Sequence, residues 1–117
     1  MFTVCFLSPA VRRQPLSRAL CVIGKFMSKV TLKGFILVPE SELEVVKSEL
    51  VTHKRLTLEE SGCITFSVTE NSNNPLRFDV YEEFKDKSAF EYHQKRVKAS
   101  HWGKVTVNVE RHYEILE

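Results

Sequence analysis

Two ionisable side chains in this 117-residue chain fall where the apolar pattern calls for hydrophobic ones. In the run Phe78-Asp79-Val80-Tyr81-Glu82-Glu83-Phe84, positions 78, 80, 82 and 84 share one face of a period-two strand, and Glu82 is the polar member. In the following segment, Ala89, Phe90, His93 and Val97 share one helical stripe that includes a histidine. His53 lies on a comparable stripe with Leu43, Val46, Leu50 and Thr57. A carboxyl or imidazole in an apolar layer is held there by partners or by a use. The chemistry within reach is proton transfer. Histidine is the side chain whose ordinary pKa suits a base near neutrality, able to take a proton from a phenol or from a carbon next to a carbonyl. Glu82 would orient that imidazole, or serve as the base itself if burial raised its pKa.

The elements that must position these groups follow from periodicity and punctuation. Val30, Leu32, Gly34, Ile36 and Val38 alternate as a strand that Pro39 ends. Ser41-x-x-Glu44 has the form of a capping box, predicting a helix to about 57–59. Gly62 turns the chain into a second strand over 63–70, and Asn71-Ser72-Asn73-Asn74-Pro75 predicts a longish hairpin loop before a third strand over 77–84. Asp86 caps a helix to about Lys98, and the basic cluster Lys95-Arg96-x-Lys98 is expected to be its solvated end. Ser100-His101-Trp102-Gly103 is expected to be a break before a last strand over 104–115. The order β-α-β-β-α-β predicts an α+β, ferredoxin-like domain: a four-stranded antiparallel sheet with both helices on one face. Between helices and sheet, Glu82, His53 and His93 would share one space. Phe35 and Leu37 on the other strand face predict that the open side of the sheet is covered, most simply in a homodimer.

Composition bounds the rest. A 43% apolar and 27% charged content is that of one small globular domain without a membrane span. Residues 1–26 carry Arg12, Arg13, Arg18 and Lys25 and no acid, leaving 13 basic and 15 acidic side chains, or −2, for the remainder. That slightly acidic body gives no reason to expect nucleic acid as a partner. The basic start divides the chain into an N-terminal extension, 1–27, and a domain, 28–117. Two readings of the extension are open: an organelle transit peptide, or upstream sequence ahead of a natural start at Met27. Cys5, Cys21 and Cys63 are odd in number without C-x-x-C spacing, which predicts free thiols, a reducing (cytoplasmic) location and no zinc site. Cys63 itself is expected to be a core residue.

The elements Glu60-x-Gly62-Cys63, Tyr81-Glu82-x-Phe84 and Ala89-x-x-x-His93, in that order, resemble the antibiotic biosynthesis monooxygenase family over about residues 28–115. The resemblance implies a dimeric α+β barrel, with Glu82 and His93 at the family's recurrent cavity positions and His53 where some members place a polar residue. It implies His93, Glu82 and His53 as catalytic candidates. Beside it, Phe66, Phe78, Phe90, His101 and Trp102 are expected to contact a small-molecule substrate, with His101 and Trp102 at the cavity mouth and the indole flat on an aromatic ring. The implied reaction is cofactor-independent: a base deprotonates a small aromatic or quinol-type substrate, which then reacts directly with dioxygen as co-substrate. No metal is expected. The family's range leaves two alternatives: an isomerase of a small, phosphorylated dicarbonyl such as an autoinducer-2 derivative, and a non-catalytic small-molecule-binding dimer. The haem-degrading branch is a poor match, because it has tryptophan at about the position of His93, and Trp102 lies elsewhere.

Overall fold

The computed structural model describes residues 28–117; the extension expected over 1–27 lies outside them. Strand β1 (Val30–Leu37) leads through a short 3-10 turn (Glu40–Glu42) into α1 (Leu43–Leu58). The hairpin β2 (Cys63–Asn71) and β3 (Asn74–Phe84) follows, then α2 (Lys87–Ala99), the five-residue α3 (His101–Val105) and β4 (Glu110–Leu116). The sheet order is β2-β3-β1-β4 with every neighbouring pair antiparallel. This is the ferredoxin-like α+β fold expected from the order of elements.

Alternation decides which side of the sheet is core. Val30, Leu32 and Ile36 of β1, with Val38 just beyond it, and Phe78, Val80, Glu82 and Phe84 of β3 are all buried on the face that carries the helices. Strand β2 joins that face through a bulge at Ile64. Cys63 pairs with Phe84 and Thr65 with Glu83, so the extra residue restores the alternation and sets Phe66 opposite Glu82. Ile64 itself is left exposed. From the helices, Val46, His53 and Thr57 of α1 and His93 of α2 are buried against this layer, as their stripes predicted.

The outer face of the sheet is partly covered from within the chain. The Phe35 ring is stacked on His112 at 4.6 Å, and the Arg77 guanidinium lies 3.8 Å from its centroid. Beside it, the Tyr81 hydroxyl donates to Glu83 at 2.5 Å, Thr65 donates to the same carboxylate, and Arg77 and Asn71 both donate to Asp79. Tyr81 and Leu116 remain exposed.

Four local expectations are corrected. The last strand starts at Glu110, not at 104: Ser100 caps a helical turn by accepting from the Gly103 amide, and the Thr106 hydroxyl closes that turn on the Trp102 carbonyl at 2.7 Å. Burial of the Trp102 indole outweighs the alternation of Val105, Val107 and Val109, and Val107 is exposed. Trp102 therefore sits in α3 and not in a loop. The hairpin turn is only Ser72-Asn73, because Asn71 and Asn74 accept backbone bonds from Asn73 and Leu76 and tighten it. The Ser41–Glu44 capping box does not form: the chain enters α1 through the 3-10 turn with no side-chain cap, whereas Asp86 caps α2 by accepting from the Ala89 amide at 2.8 Å.

Candidate active site

A buried polar layer is assembled from three elements. Strand β3 contributes Glu82, helix α2 contributes His93 and Arg96, and α1 with the turn after it contributes His53, Thr57 and Glu60. Spacing explains the grouping: His53 and Thr57 are one turn apart on α1, and His93 and Arg96 are three apart on α2, so each pair projects from one side of its helix.

His93 is the centre. Its Nδ1 lies 2.9 Å from Glu60 Oε2, and its Nε2 lies 3.7 Å from Glu82 Oε1. Its ring is backed by Phe84 at 4.8 Å between centroids and neighbours Phe66 at 6.3 Å. Arg96 donates from Nε to Glu60 Oε2 at 2.6 Å and from Nη2 to Thr57 Oγ1 at 3.0 Å. The two carboxyls around one imidazole are driven in opposite directions. At Glu60, burial favours the neutral acid, but the bonds and charges of His93 and Arg96 outweigh it and hold the group below its usual range. At Glu82, burial pushes the pKa up, opposed by His93 and reinforced by the negative charge of Glu60. Divergent carboxyl groups flanking a histidine are the arrangement expected of separate acid and base roles.

His53 is of another kind. Its ring stacks on Trp102 at 4.6 Å and 4°, and meets the edge of Phe66 at 5.3 Å. Burial, followed by the positive charge of His93, Arg96 and Arg111, lowers its pKa to about 2. It is a neutral ring near pH 7, available for hydrogen bonding and not for proton storage. Among the described residues, His53 Nδ1 and Glu60 Oε1 are buried without a hydrogen-bond partner.

The structure thus brings Glu82, His93, His53, Phe66 and Trp102 together. Phe90 packs on Phe84 at 5.6 Å, behind the imidazole. Phe78 lies farther along β3, in the apolar core with Leu32, Ile36 and Val80. His101 is turned outward, its side chain 62% exposed and 3.5 Å from Glu49. Cys63 is a free, partly buried thiol. Burial and the charges of Glu60 and Glu82 raise its pKa, which keeps it protonated and unsuited to nucleophilic work.

Two members of the layer escaped the pattern reading. Glu60 precedes the glycine of the Glu60-x-Gly62-Cys63 element, which was noticed as a motif without a role for its acid. Arg96 looked like part of a solvated helix end, yet its side chain is only 21% exposed and is committed to Glu60. Its position three residues after His93 was the available signal. Among the described residues, no group of three or more His, Cys, Asp or Glu side chains is arranged to hold a metal ion, and no helix is long and apolar enough to cross a membrane.

The family model for antibiotic biosynthesis monooxygenases matches residues 30–104. No curated protein matches the sequence significantly. Among solved structures, a Nitrosomonas europaea protein provisionally named an antibiotic biosynthesis monooxygenase superposes with a TM-score of 0.63 at 18% identity, over 75% of this chain and 85% of that one. A Deinococcus radiodurans protein with the same provisional name gives 0.60 at 17%, over 77% and 91%. A conserved Bacteroides thetaiotaomicron protein of unknown function, provisionally described as an oxidoreductase, gives 0.64 at 21%, over 78% and 98%. At these identities the solved structures speak for the fold alone.

Proposed function

The chain belongs to the antibiotic biosynthesis monooxygenase family, and on that footing we propose that it is a cofactor-independent monooxygenase of a small aromatic or quinol-type substrate. The observation that carries this reading is a buried imidazole set between two carboxyls and walled by aromatic rings. His93 takes the substrate proton. Glu82, favoured by burial as the neutral acid, offers an O–H to the oxyanion that results. The electron-rich anion then reduces dioxygen directly: one oxygen atom enters the substrate as a carbonyl oxygen and the other leaves as water, with all four electrons drawn from substrate and its C–H and O–H bonds. Phe66 supplies an apolar surface for an aromatic ring, beside the neutral His53 ring, which is itself stacked on the buried Trp102 indole.

Oxygen uptake by metal-free protein over a panel of quinols and anthrones tests this. Uptake above the spontaneous rate, lost in His93→Ala, is expected; no uptake with any of them counts against it. Incorporation of solvent deuterium into a dicarbonyl under anaerobic conditions would instead assign the same pair to isomerisation.

The working unit in this proposal is a homodimer packed through the outer face of the sheet around Phe35, Tyr81 and Leu116, in the reducing cytoplasm where Cys63 stays a thiol. Sedimentation of wild type and Tyr81→Glu measures the first point: a dimer is expected for the former and a weakened one for the latter.

A further inference from the structure

Only one ring nitrogen of His93 can act as the base, and the choice is made at Glu60. Oε2 of Glu60 stands within hydrogen-bond distance of two nitrogens, Arg96 Nε at 2.6 Å and His93 Nδ1 at 2.9 Å. Arginine always donates and stays charged. With a permanent cation on that oxygen, the carboxyl is an ionised acceptor, so a contact of 2.9 Å to Nδ1 requires the proton to sit on Nδ1. Two lone pairs at that distance would repel. Arg96 is itself aimed by its second bond, to Thr57 Oγ1, so the carboxylate is gripped between α1 and α2. Nε2 is then the nitrogen with the free lone pair, and it looks inward to Glu82.

We propose that Glu60, held by Arg96, is a positioning residue that fixes His93 as the Nδ1–H tautomer and presents its Nε2 lone pair beside Glu82, where the substrate proton is taken. This rests on the reading of His93 as the base, but it makes a claim that can be checked without turnover. The ring is faced by Glu60 and Arg96 on one side, by Glu82 on the other, and by the uncharged rings of His53, Phe66 and Phe84. Of these groups only Glu60 reaches hydrogen-bond distance.

The experiment reads the tautomer by long-range proton–nitrogen correlation spectra of nitrogen-15-labelled protein, at a pH where the ring is neutral. The His93 signals are identified by their loss in His93→Gln. Wild type is expected to show Nδ1 protonated and Nε2 bare. Glu60→Gln keeps a carbonyl oxygen between the two donors and should retain that tautomer. Glu60→Leu removes the acceptor, leaves Arg96 free to donate to Nδ1, and should shift the proton to Nε2. In oxygen uptake with an active quinol, Glu60→Leu should lower kcat by about 10²- to 10⁴-fold, the range of a general base, with KM little changed and Glu60→Gln restoring part of the rate. A wild-type ring protonated at Nε2 overturns the proposal, as does a folded Glu60→Leu protein that keeps the proton on Nδ1. If Glu60→Leu does not fold, the wild-type and Glu60→Gln spectra decide alone. The expected tautomers without turnover of any quinol would support the positioning role while removing the oxygenase reading.

Discussion

Replacing Glu82 by methionine should make the protein more stable and abolish its chemistry. Glu82 is 6% exposed, flanked in the sheet by Leu32 of β1 and Phe66 of β2. Its Oε1 lies 3.7 Å from His93 Nε2, outside hydrogen-bond range. A buried polar group without a hydrogen bond costs about 1–3 kcal/mol on the scale of protein mutations. Methionine has the same length, no polar head and enough flexibility to fill the space. The gain of ~1–3 kcal/mol, at ~4–8 °C per kcal/mol for a domain of this size, corresponds to a Tm rise of roughly 4–24 °C. The sign with pH follows from the raised pKa. A carboxyl whose folded value lies above the ordinary 4.5 contributes stability below that pH, and loses it as pH climbs through the folded value. The advantage of Glu82→Met over wild type should therefore be smallest in acid and grow toward neutrality. Calorimetric melts of both proteins across that range are the assay. A variant that is less stable by about 1 kcal/mol or more, a typical loss for an ordinary substitution, or an advantage that shrinks as pH rises, would refute the reasoning and make Glu82 a structural partner of His93.

Three further outcomes are expected. Trp102→Ala should cost about 3–5 kcal/mol by the usual cost of emptying a large aromatic site, with Trp102→Phe recovering much of it, both read from urea midpoints. Gly34→Ala should detach β4: at φ +152° a Cβ would stand 1.9 Å from the His112 carbonyl oxygen, so fast hydrogen exchange is predicted across the β1–β4 ladder. Arg96→Met should flatten the acid limb of stability. Glu60, held below 4.5, contributes stability above that pH and loses it as pH falls through its folded value, so the wild type's lead over the variant should be largest near neutrality and fade in acid.

How much of this was legible in the sequence depends on which physical term decides each feature. The stripes Leu43, Val46, Leu50, His53, Thr57 and Ala89, Phe90, His93, Val97, with the alternation of 78, 80, 82 and 84, gave both the fold and the inward placement of Glu82, His53 and His93, because burial of an apolar face follows periodicity directly. The segment from 100 to 109 departs from the strand pattern because its valines alternate while a single indole, in a helical turn capped by Ser100 and closed by Thr106, has more area to bury. Glu60 and Arg96 could not be paired from the chain, since 36 residues separate them and their contact depends on how closely the turn after α1 approaches α2. Phe78 and Phe90 are expected to contact substrate. The register places one in the core and the other behind the ring of Phe84.

That close approach accounts for the small residues in the motif. Gly62 lies directly against Ala89: a Cβ added to the glycine would stand 2.3 Å from the alanine Cβ. The Lys85 amide donates to the Gly62 carbonyl at 2.9 Å and ties the turn to the start of α2. His93 is four residues, or about one helical turn of 5.4 Å, beyond Ala89 on the same side of α2, and Glu60 is two residues before Gly62. With the turn seated on Ala89, Glu60 comes level with His93. Phe84, paired with Cys63 across the β2–β3 ladder, closes the triangle from below and sets Glu82 two residues back on the same face. The three sequence elements are therefore three sides of one contact. The glycine and alanine set the distance at which the acid, the imidazole and the second acid can meet, and bulk at either position would push the turn and α2 apart.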